Sequence, residues 1–503
     1  MSETLQDAVP AKPKSRFPKS VPFIIGNEFA ERFSFYGMRS ILAVFLVHQF
    51  FSHDSSVIAN AKSNSINHIF STLVYATPLL GAILADWFFG KYRVILIGSL
   101  IYTIGHFILS MFDTSLTGFQ TGLIIIAFSA GAIKSCVSAN VGDQFDHSNQ
   151  HLMSSIYSWF YFSINAGSMV SLALIPVIYE KFGAAWAFGV PGILMALATL
   201  IFFSGRKKYV KLPPKGINKD NFVSVSFYAM MCKFNGRAKV AGKTAWECAE
   251  DKYSEEKVDG VKAVWRVMAV FAFIPVFWSL WDMNSAEWVL QSKKLNLSLG
   301  VFGWKVLPSQ IQTVGAVFLL TFIPIFNYGV YPLVEKLGIK LTSLRKLGAG
   351  LFITGFSFVI IALLQVKVDA GAHPSVWWQI FAFAVLSAGE VLVSITGLEY
   401  AYTQSPPSMK STMTAIWYFT YSIGSFFNAI VNNSIADGGM FSGFTGALFY
   451  WLFVGICFGF FIIFLFVSPF IKEKAYLAVD VLANGLDIKG NKTRDIHPDN
   501  PIV

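Results

Sequence analysis

Charge is what this chain has least of. Asp, Glu, Lys and Arg make up only 14% of its 503 residues, against roughly 25% in a soluble domain. Cysteine is scarce as well. Of the four, Cys136 and Cys457 lie in apolar runs and Cys232 and Cys248 in a basic segment, so no disulfide framework is implied. No His-x-x-x-His pair or Glu/His cluster falls within the apolar runs, so neither a metal centre nor the nucleophile–base set of an intramembrane enzyme is indicated. No small-residue cleavage site follows the basic residues Lys12, Lys14, Arg16 and Lys19, and the first apolar run is expected to persist as a helix rather than leave as a signal peptide. The net charge of +10 comes without a stacking-aromatic or RNA-binding motif, so nucleic acid is not expected as a partner.

What the chain has in abundance is apolar length. It is 54% hydrophobic and 16% aromatic, with a mean hydropathy of +0.55. Apolar runs predict an all-α membrane protein of about twelve spans in the lipid bilayer, near 21–50, 66–89, 94–112, 118–139, 154–179 and 186–204, and then 263–291, 308–334, 347–366, 376–402, 410–435 and 443–471. Lys and Arg collect in the alternate loops (the N-terminal tail, Lys91/Arg93, 205–262, Lys336–Lys346, Lys410, Lys472/Lys474), with 292–307 as the exception. That bias puts both termini in the cytoplasm of a multi-pass plasma or inner membrane protein. The organisation expected is an N-terminal six-helix bundle (1–204), a cytoplasmic linker (205–262), a C-terminal six-helix bundle (263–474) and a polar cytoplasmic tail (475–503). The patch Phe222–Phe234 in the linker is amphipathic enough to lie on a membrane surface, or it belongs to a plain flexible connector.

The few charges that enter the spans are the informative ones. Glu28, Glu31, Arg32 and Arg39 stand inside the first run, and with Phe35 and Tyr36 they share an arc of roughly 140° on a helix. A charge at bilayer depth costs at least ~2.5–3.5 kcal/mol, so this stripe faces protein or water, and such clusters mark proton relays and substrate pathways. Lys134 is a lone cation in span four, and Glu390 is the acid in the middle of span ten. Arg39 offers a planar fork of donors suited to a carboxylate. Cations on one half and an acid on the other suit a zwitterion.

Four motifs give these residues a context. Glu-x-x-Glu-Arg-Phe-x-x-Tyr-Gly stands at 28–37, Gly131–Lys134 leads to Gly142-Asp143-Gln144-Phe145, Phe160-Tyr161-Phe162-Ser163-Ile164-Asn165-Ala166-Gly167-Ser168 lies in span five, and Gly389-Glu390 precedes Ser394 and Gly397-Leu398-Glu399. Together they resemble the proton-coupled oligopeptide transporter family. The turn Gly81-Ala-Ile-Leu-Ala-Asp86-Trp-Phe-Phe-Gly90-Lys91-Tyr-Arg93 resembles the signature of the major facilitator superfamily, whose fold is two six-helix bundles, with Asp86 and the basic pair forming a cytoplasmic charge network. The resemblance implies a proton-coupled symporter of di- and tripeptides working by alternating access, with protons as coupling ion and no other cofactor.

It also implies roles. Arg39 and Lys134 take the peptide carboxylate and Glu390 the amine. Asn165, Asn327 and Ser394 are placed among the polar contacts, the asparagines being equally readable as interhelical hydrogen bonds. Tyr36, Tyr75, Tyr161, Trp278, Trp281 and Trp417 match pocket-lining positions. For the proton, Glu28 and Glu31 flank Arg32, His68 titrates near neutrality, and Asp282 in span seven is a relay or gate acid. Protonation of the Glu28/Glu31/Arg32 group is expected to free Arg32 and Lys134 for the arriving carboxylate. Two departures stand out: Asn327 follows Pro324-Ile325-Phe326 where some animal members carry an acid, which weakens a gate pair with Arg266, and Phe35 replaces a tyrosine. The short loop between spans nine and ten, and the absence of a strongly apolar hairpin in 205–262, look like a bacterial member without extra helices. The alternatives are the same fold carrying an amino acid, nitrate or a drug, or a membrane sensor. Nitrate has no amine for Glu390 to meet, and no attached signalling domain is apparent. Side-chain preference, proton stoichiometry and oligomeric state are not readable from the residues.

Overall fold

The computed structural model describes residues 17–145, 149, 152–214, 216, 220–236, 242–300, 304–406 and 409–471, and the expected tail 475–503 lies outside the described residues. Nine helices among the described residues are long and apolar enough to cross a membrane, or ten when a bent pair is counted as one span. Two more are long enough but carry polar stripes: α1 (Val21–Gln49) and a late helix, Lys410–Ala436. With these, twelve spans stand among the described residues. The end of the bundle where α1 begins is called basal here and the end where it finishes apical.

From the apical end α2 (Ser56–Ala76) descends into α3 (Pro78–Leu84) and a π-helical turn, Ala85–Phe89, as one span of 34 residues. It starts ten residues before the apolar run because Ala59, Ala61, Ser63, Asn64 and Ser65 are buried in the bundle rather than exposed to lipid. Next come α4 (Lys91–Met111), α5 (Leu116–Gly142), α6 (Met153–Phe182) and α7 (Ala184–Ser204). Small residues let these helices touch: a side-chain carbon on Gly81 would collide with the α5 backbone at Ala132. Phe35, Phe45, Phe119, Phe188 and Phe202 fill the core of this half. At the basal turn Lys91 pairs with Asp143 at 2.7 Å, so the charge network runs to the end of α5 rather than to Asp86.

Residues 205–262 are more than a connector. They hold α8 (Phe222–Phe234) and α9 (Ala245–Glu250), and a disulfide joins Cys232 to Cys248, whose Cα atoms are 6.3 Å apart. No bridge was expected there. The pairing arises because the two short helices pack side by side, which spacing in sequence does not reveal. Span seven begins early, as α10 (Glu255–Phe271), and bends by 50° into α11 (Ile274–Asp282). Pro275 stands in the first turn of α11, where its missing N–H breaks the ladder. A second break at Met283–Ala286 precedes α12 (Glu287–Ser292), so Asp282 ends one segment and Glu287 begins the next.

The remaining spans are α13 (Gln312–Ile325) continuing through a π turn, Phe326–Val330, into α14 (Tyr331–Lys336); α15 (Ser343–Asp369); α16 (Trp377–Glu390) continuing through a π turn, Val391–Ile395, into α17 (Thr396–Thr403); α18 (Lys410–Ala436); and α19 (Ala447–Val467). Their core is built on Trp288, Phe358, Phe383 and Tyr450 towards the apical end and on Phe271, Phe277, Tyr400 and Trp417 towards the basal end. The two halves meet where α2 runs along α18 and α1 along α12.

Gly424 sets how closely α18 lies on α11, because a side-chain carbon there would strike the backbone at Pro275 and Ser279. Gly424→Leu is therefore expected to lose about 1–3 kcal/mol of stability through overpacking, read as a lower thermal unfolding temperature in detergent.

Candidate functional site

Three groups of polar side chains occupy the middle of the bundle, and α1 contributes to each. Nearest the basal end, Arg32 Nε lies 2.7 Å from Glu28 Oε1 and 3.0 Å from Glu31 Oε2. Both acids are buried, and Glu28 Oε2 and both Glu31 oxygens have no hydrogen-bond donor. Lys134 on α5 is buried as well. Its Nζ makes no hydrogen bond and sits 3.9 Å from the Phe35 ring and 4.6 Å from the Tyr75 ring. One guanidinium thus serves two carboxylates while an ammonium rests on aromatic faces. A proton or an anion arriving here has immediate partners.

The second group is a chamber of about 120 Å³ between the halves, the scale that holds one small organic molecule. Tyr36 and Arg39 from α1, Asn165 and Ser168 from α6, Trp281, Asn284 and Ser285 from span seven, Gln312 from α13, and Ser387 and Glu390 from α16 line it. A cation and an acid therefore line one shared space from opposite halves. The Trp281 indole lies beside the Glu390 carboxyl. The π turn Val391–Ile395 begins immediately after Glu390, re-aiming the helix at a polar position.

The third group shuts the apical side of that chamber. Asp282 accepts from the Arg39 guanidinium, from Tyr421 Oη at 2.5 Å and from Ser425 Oγ, and contacts His68 Nδ1 at 2.7 Å. His68 Nε2 lies 2.8 Å from Glu287 Oε1, which also accepts from Asn432 Nδ2 at 3.0 Å. Asp282 and His68 are fully buried and Arg39 nearly so. A neutral imidazole has one N–H and one lone pair. With a carboxylate oxygen against each ring nitrogen, the arrangement holds a proton between His68 and its two acids. Protonated His68 and Arg39 balance Asp282 and Glu287, so the four groups together are neutral.

The structure sorts the expected residues. Arg39, Tyr36, Asn165, Trp281 and Glu390 share the chamber. Lys134, Tyr75, Glu28, Glu31 and Arg32 stand beside it on the basal side, Tyr75 stacking on Tyr421 with centroids 3.8 Å apart. His68 and Asp282 meet in the apical group. Tyr161 is half exposed, its carbonyl accepting from Asn165 Nδ2 at 2.8 Å. Ser394 Oγ is buried without a partner behind Glu390. Asn327 is exposed on the π turn after Pro324, about two helical turns beyond the chamber residue Leu319. Trp417 and Trp278 are not among the residues lining this chamber. Both are buried in the aromatic core with Phe271 and Tyr421, and the Trp417 ring fills the space a side chain on Gly397 would need.

Glu287, Tyr421, Ser425 and Asn432 were not singled out from the sequence. Glu287 was accessible to the same rule that flags Asp282, since both lie within the predicted span 263–291. The α18 hydroxyls carry no comparable signal, because Ser and Tyr in a span are common. Among the described residues, no group of three or more His, Cys, Asp or Glu side chains is arranged to hold a metal ion.

Removing one member of a buried charge group strands the others. Asp282→Ala is expected to cost about 3–5 kcal/mol, whereas Tyr421→Phe loses a single hydrogen bond to a charged group, about 1.5–3 kcal/mol. Thermal unfolding of the two variants in detergent should rank them in that order.

The sequence and the fold both have known counterparts. The POT family profile matches residues 92–445. Peptide transporter 3 of Caenorhabditis elegans is 38% identical over 369 residues, which is 70% of this chain and 51% of that protein. Solute carrier family 15 member 2 of Homo sapiens is 36% identical over 403 residues, 76% of this chain and 54% of that protein. The chain thus spans about half the length of the curated relatives it matches. Among solved structures, the POT family transporter PepTSo superposes with a TM-score of 0.83 at 34% identity, covering 91% of this chain and 99% of its own. The architecture is accordingly the all-α major-facilitator fold. On the extent of the profile match and this structural agreement, the chain belongs to the POT family.

Proposed function

We propose that the protein is a secondary transporter, not an enzyme, that imports di- and tripeptides together with protons. One observation carries this reading: Arg39 and Glu390, from opposite halves, line a single chamber. A peptide zwitterion presents a carboxylate and an ammonium at its two ends, and the chamber offers a guanidinium and a carboxylate to match. Asn165, Ser168 and Gln312 between them supply amide and hydroxyl partners for the peptide backbone. A relative named peptide transporter supports a peptide cargo.

The orientation follows the Lys and Arg bias: the basal end faces the cytoplasm, both termini with it, and the apical end faces the outside of a plasma or inner membrane. The closed apical group then makes this the inward-facing half of the cycle, and the halves rock about the chamber to expose it alternately. Arg39 is the link between proton and peptide. Held by Asp282 it is unavailable. A proton on Asp282 removes the charge that holds it, and the guanidinium is released to a peptide carboxylate. The Glu28/Glu31/Arg32 group with Lys134 offers a second place for a proton, about two to three helical turns nearer the cytoplasm than Arg39. Protons are the coupling ion and no other cofactor is invoked. One proton crossing 100 mV supplies ~2.3 kcal/mol, and one pH unit adds ~1.4 kcal/mol. Together these sustain several-hundredfold accumulation.

Uptake of labelled dialanine into proteoliposomes is expected to exceed equilibrium when the outside is acid and to stop at equilibrium when it is not. Indifference to the imposed gradient would refute symport. Glu390→Ala is expected to weaken binding of free-amine peptides by about 2 kcal/mol or more and to leave N-acetylated peptides nearly unaffected. Equal loss for both would remove Glu390 as the amine partner.

A further inference from the structure

The apical group is closed to a peptide but not to water. A cavity of about 150 Å³ opens at the apical end beside the first turns of α2 and narrows onto Glu287. That is room for several waters. Val57, exposed near the start of α2, lines it together with Asn60 and with Thr445 in the turn before α19. Its walls are polar: Gln291 donates to Gln365 Oε1 at 2.8 Å, and Gln365 donates to Asp369 Oδ1 at 2.8 Å. Glu287 is 4% exposed. Its Oε1 is taken by His68 and Asn432, while Oε2 has no partner among the described residues. A carboxylate oxygen is thus left unsatisfied at the floor of a water-sized polar well. A buried, half-satisfied carboxylate is costly unless it has a use.

We propose that this well is the outer proton entrance and that Glu287 is the residue that takes the proton from it, passing its effect through His68 to Asp282. The proposal rests on the transport reading and deepens it by naming the loading residue. The balance is simple. In the closed state Glu287 and Asp282 are carboxylates, His68 carries both ring protons and Arg39 is cationic. A proton from well water adds to Glu287 Oε2. His68 then gives its Nδ1 proton to Asp282 and keeps the one on Nε2. Glu287 and Asp282 are now neutral acids, His68 is a neutral imidazole, and Arg39 has lost its counter-charge. One proton has been taken up, and the net charge has risen by one.

The groups facing Glu287 permit this. His68 reaches it from α2, Asp282 lies behind His68 from α11, and Asn432 donates from α18. Tyr450 of α19 donates to the Glu287 carbonyl at 3.4 Å. Lys294, which follows α12, and Asp369 of α15 line the same well and offset each other's charge. Arg39 of α1 is separated from Glu287 by the Asp282–His68 pair. Lys294 is the cation among the residues lining the well, and among the described residues it makes no hydrogen bond to Oε2.

The test is dialanine transport by the full chain in proteoliposomes, in two modes. Acid-driven uptake needs a proton from outside, whereas dialanine counterflow at equal pH needs only the peptide to exchange. For Glu287→Gln the ratio of driven uptake to counterflow is expected to fall by about tenfold or more, with a flattened dependence on outside pH. Asn60→Phe puts a bulky ring into the wall of the well at a residue outside the hydrogen-bonded Asp282–His68–Glu287 group. It is expected to slow driven uptake several-fold and leave counterflow unchanged. A Glu287→Gln protein with the wild-type ratio and pH profile overturns the proposal, and so does one that loses both modes equally. An Asn60→Phe protein with wild-type driven uptake overturns the well as the route. Wild-type protein that shows counterflow but no acid-driven uptake overturns the symport reading itself, and the entrance with it.

Discussion

One buried carboxylate organises the apical half of this protein. Asp282 gathers a guanidinium from α1, an imidazole from α2 and two hydroxyls from α18 onto the end of α11. In a bilayer the helices gain little from apolar contact with one another, since lipid is equally apolar, and close packing and polar bonds must hold them. Here the polar bonds converge on one residue. Every donor is buried, so none has water as a substitute when the carboxylate leaves or is neutralised. The contact between the halves is therefore strong in one protonation state and weak in another. That property is what a gate coupled to protons needs.

The α1 helix connects this gate to the rest of the polar interior. Glu28 and Arg39 are eleven residues apart on one face, about 16 Å along the axis. Tyr36 lies between them on the chamber wall. The basal trio, the chamber and the apical group are thus three stations on a single rigid rod. The two helices that fall short of span-like apolarity, α1 and α18, are the ones that bring most of these groups together. Their polarity is hidden because they face each other, span seven and α2 instead of lipid.

Much of this was legible beforehand, for a physical reason. In a membrane the cost of a misplaced charge is high, so each charge inside an apolar run reports a position facing the interior. Arg39, Lys134, Glu390, His68 and Asp282 announce themselves in this way. The rule says that a side chain faces inward, but not which partner it meets. Lys134 and Arg39, read as a pair for one carboxylate, have different partners in this structure: Lys134 lies on the Phe35 and Tyr75 rings, and Arg39 on Asp282. Aromatics give a weaker signal still. Trp281 lines the chamber while Trp278, one turn away, is packed into the core, because the sequence carries no information on which side of the α11 bend each ring turns.

Composition and the spacing of apolar runs determined that the chain is a bundle of about twelve membrane helices, since burial of twenty-odd apolar residues leaves a chain few other forms. The motifs determined which residues carry charge into it. Only the tertiary structure decided the pairings: Cys232 with Cys248, Lys91 with Asp143, and His68 between Asp282 and Glu287. These contacts join residues up to 219 positions apart. Local pattern has no reach over such separations. Two breaks in span seven, at Pro275 and at Met283–Ala286, turn Asp282 and Glu287 towards the same histidine, and that geometry exists only once the helices have packed.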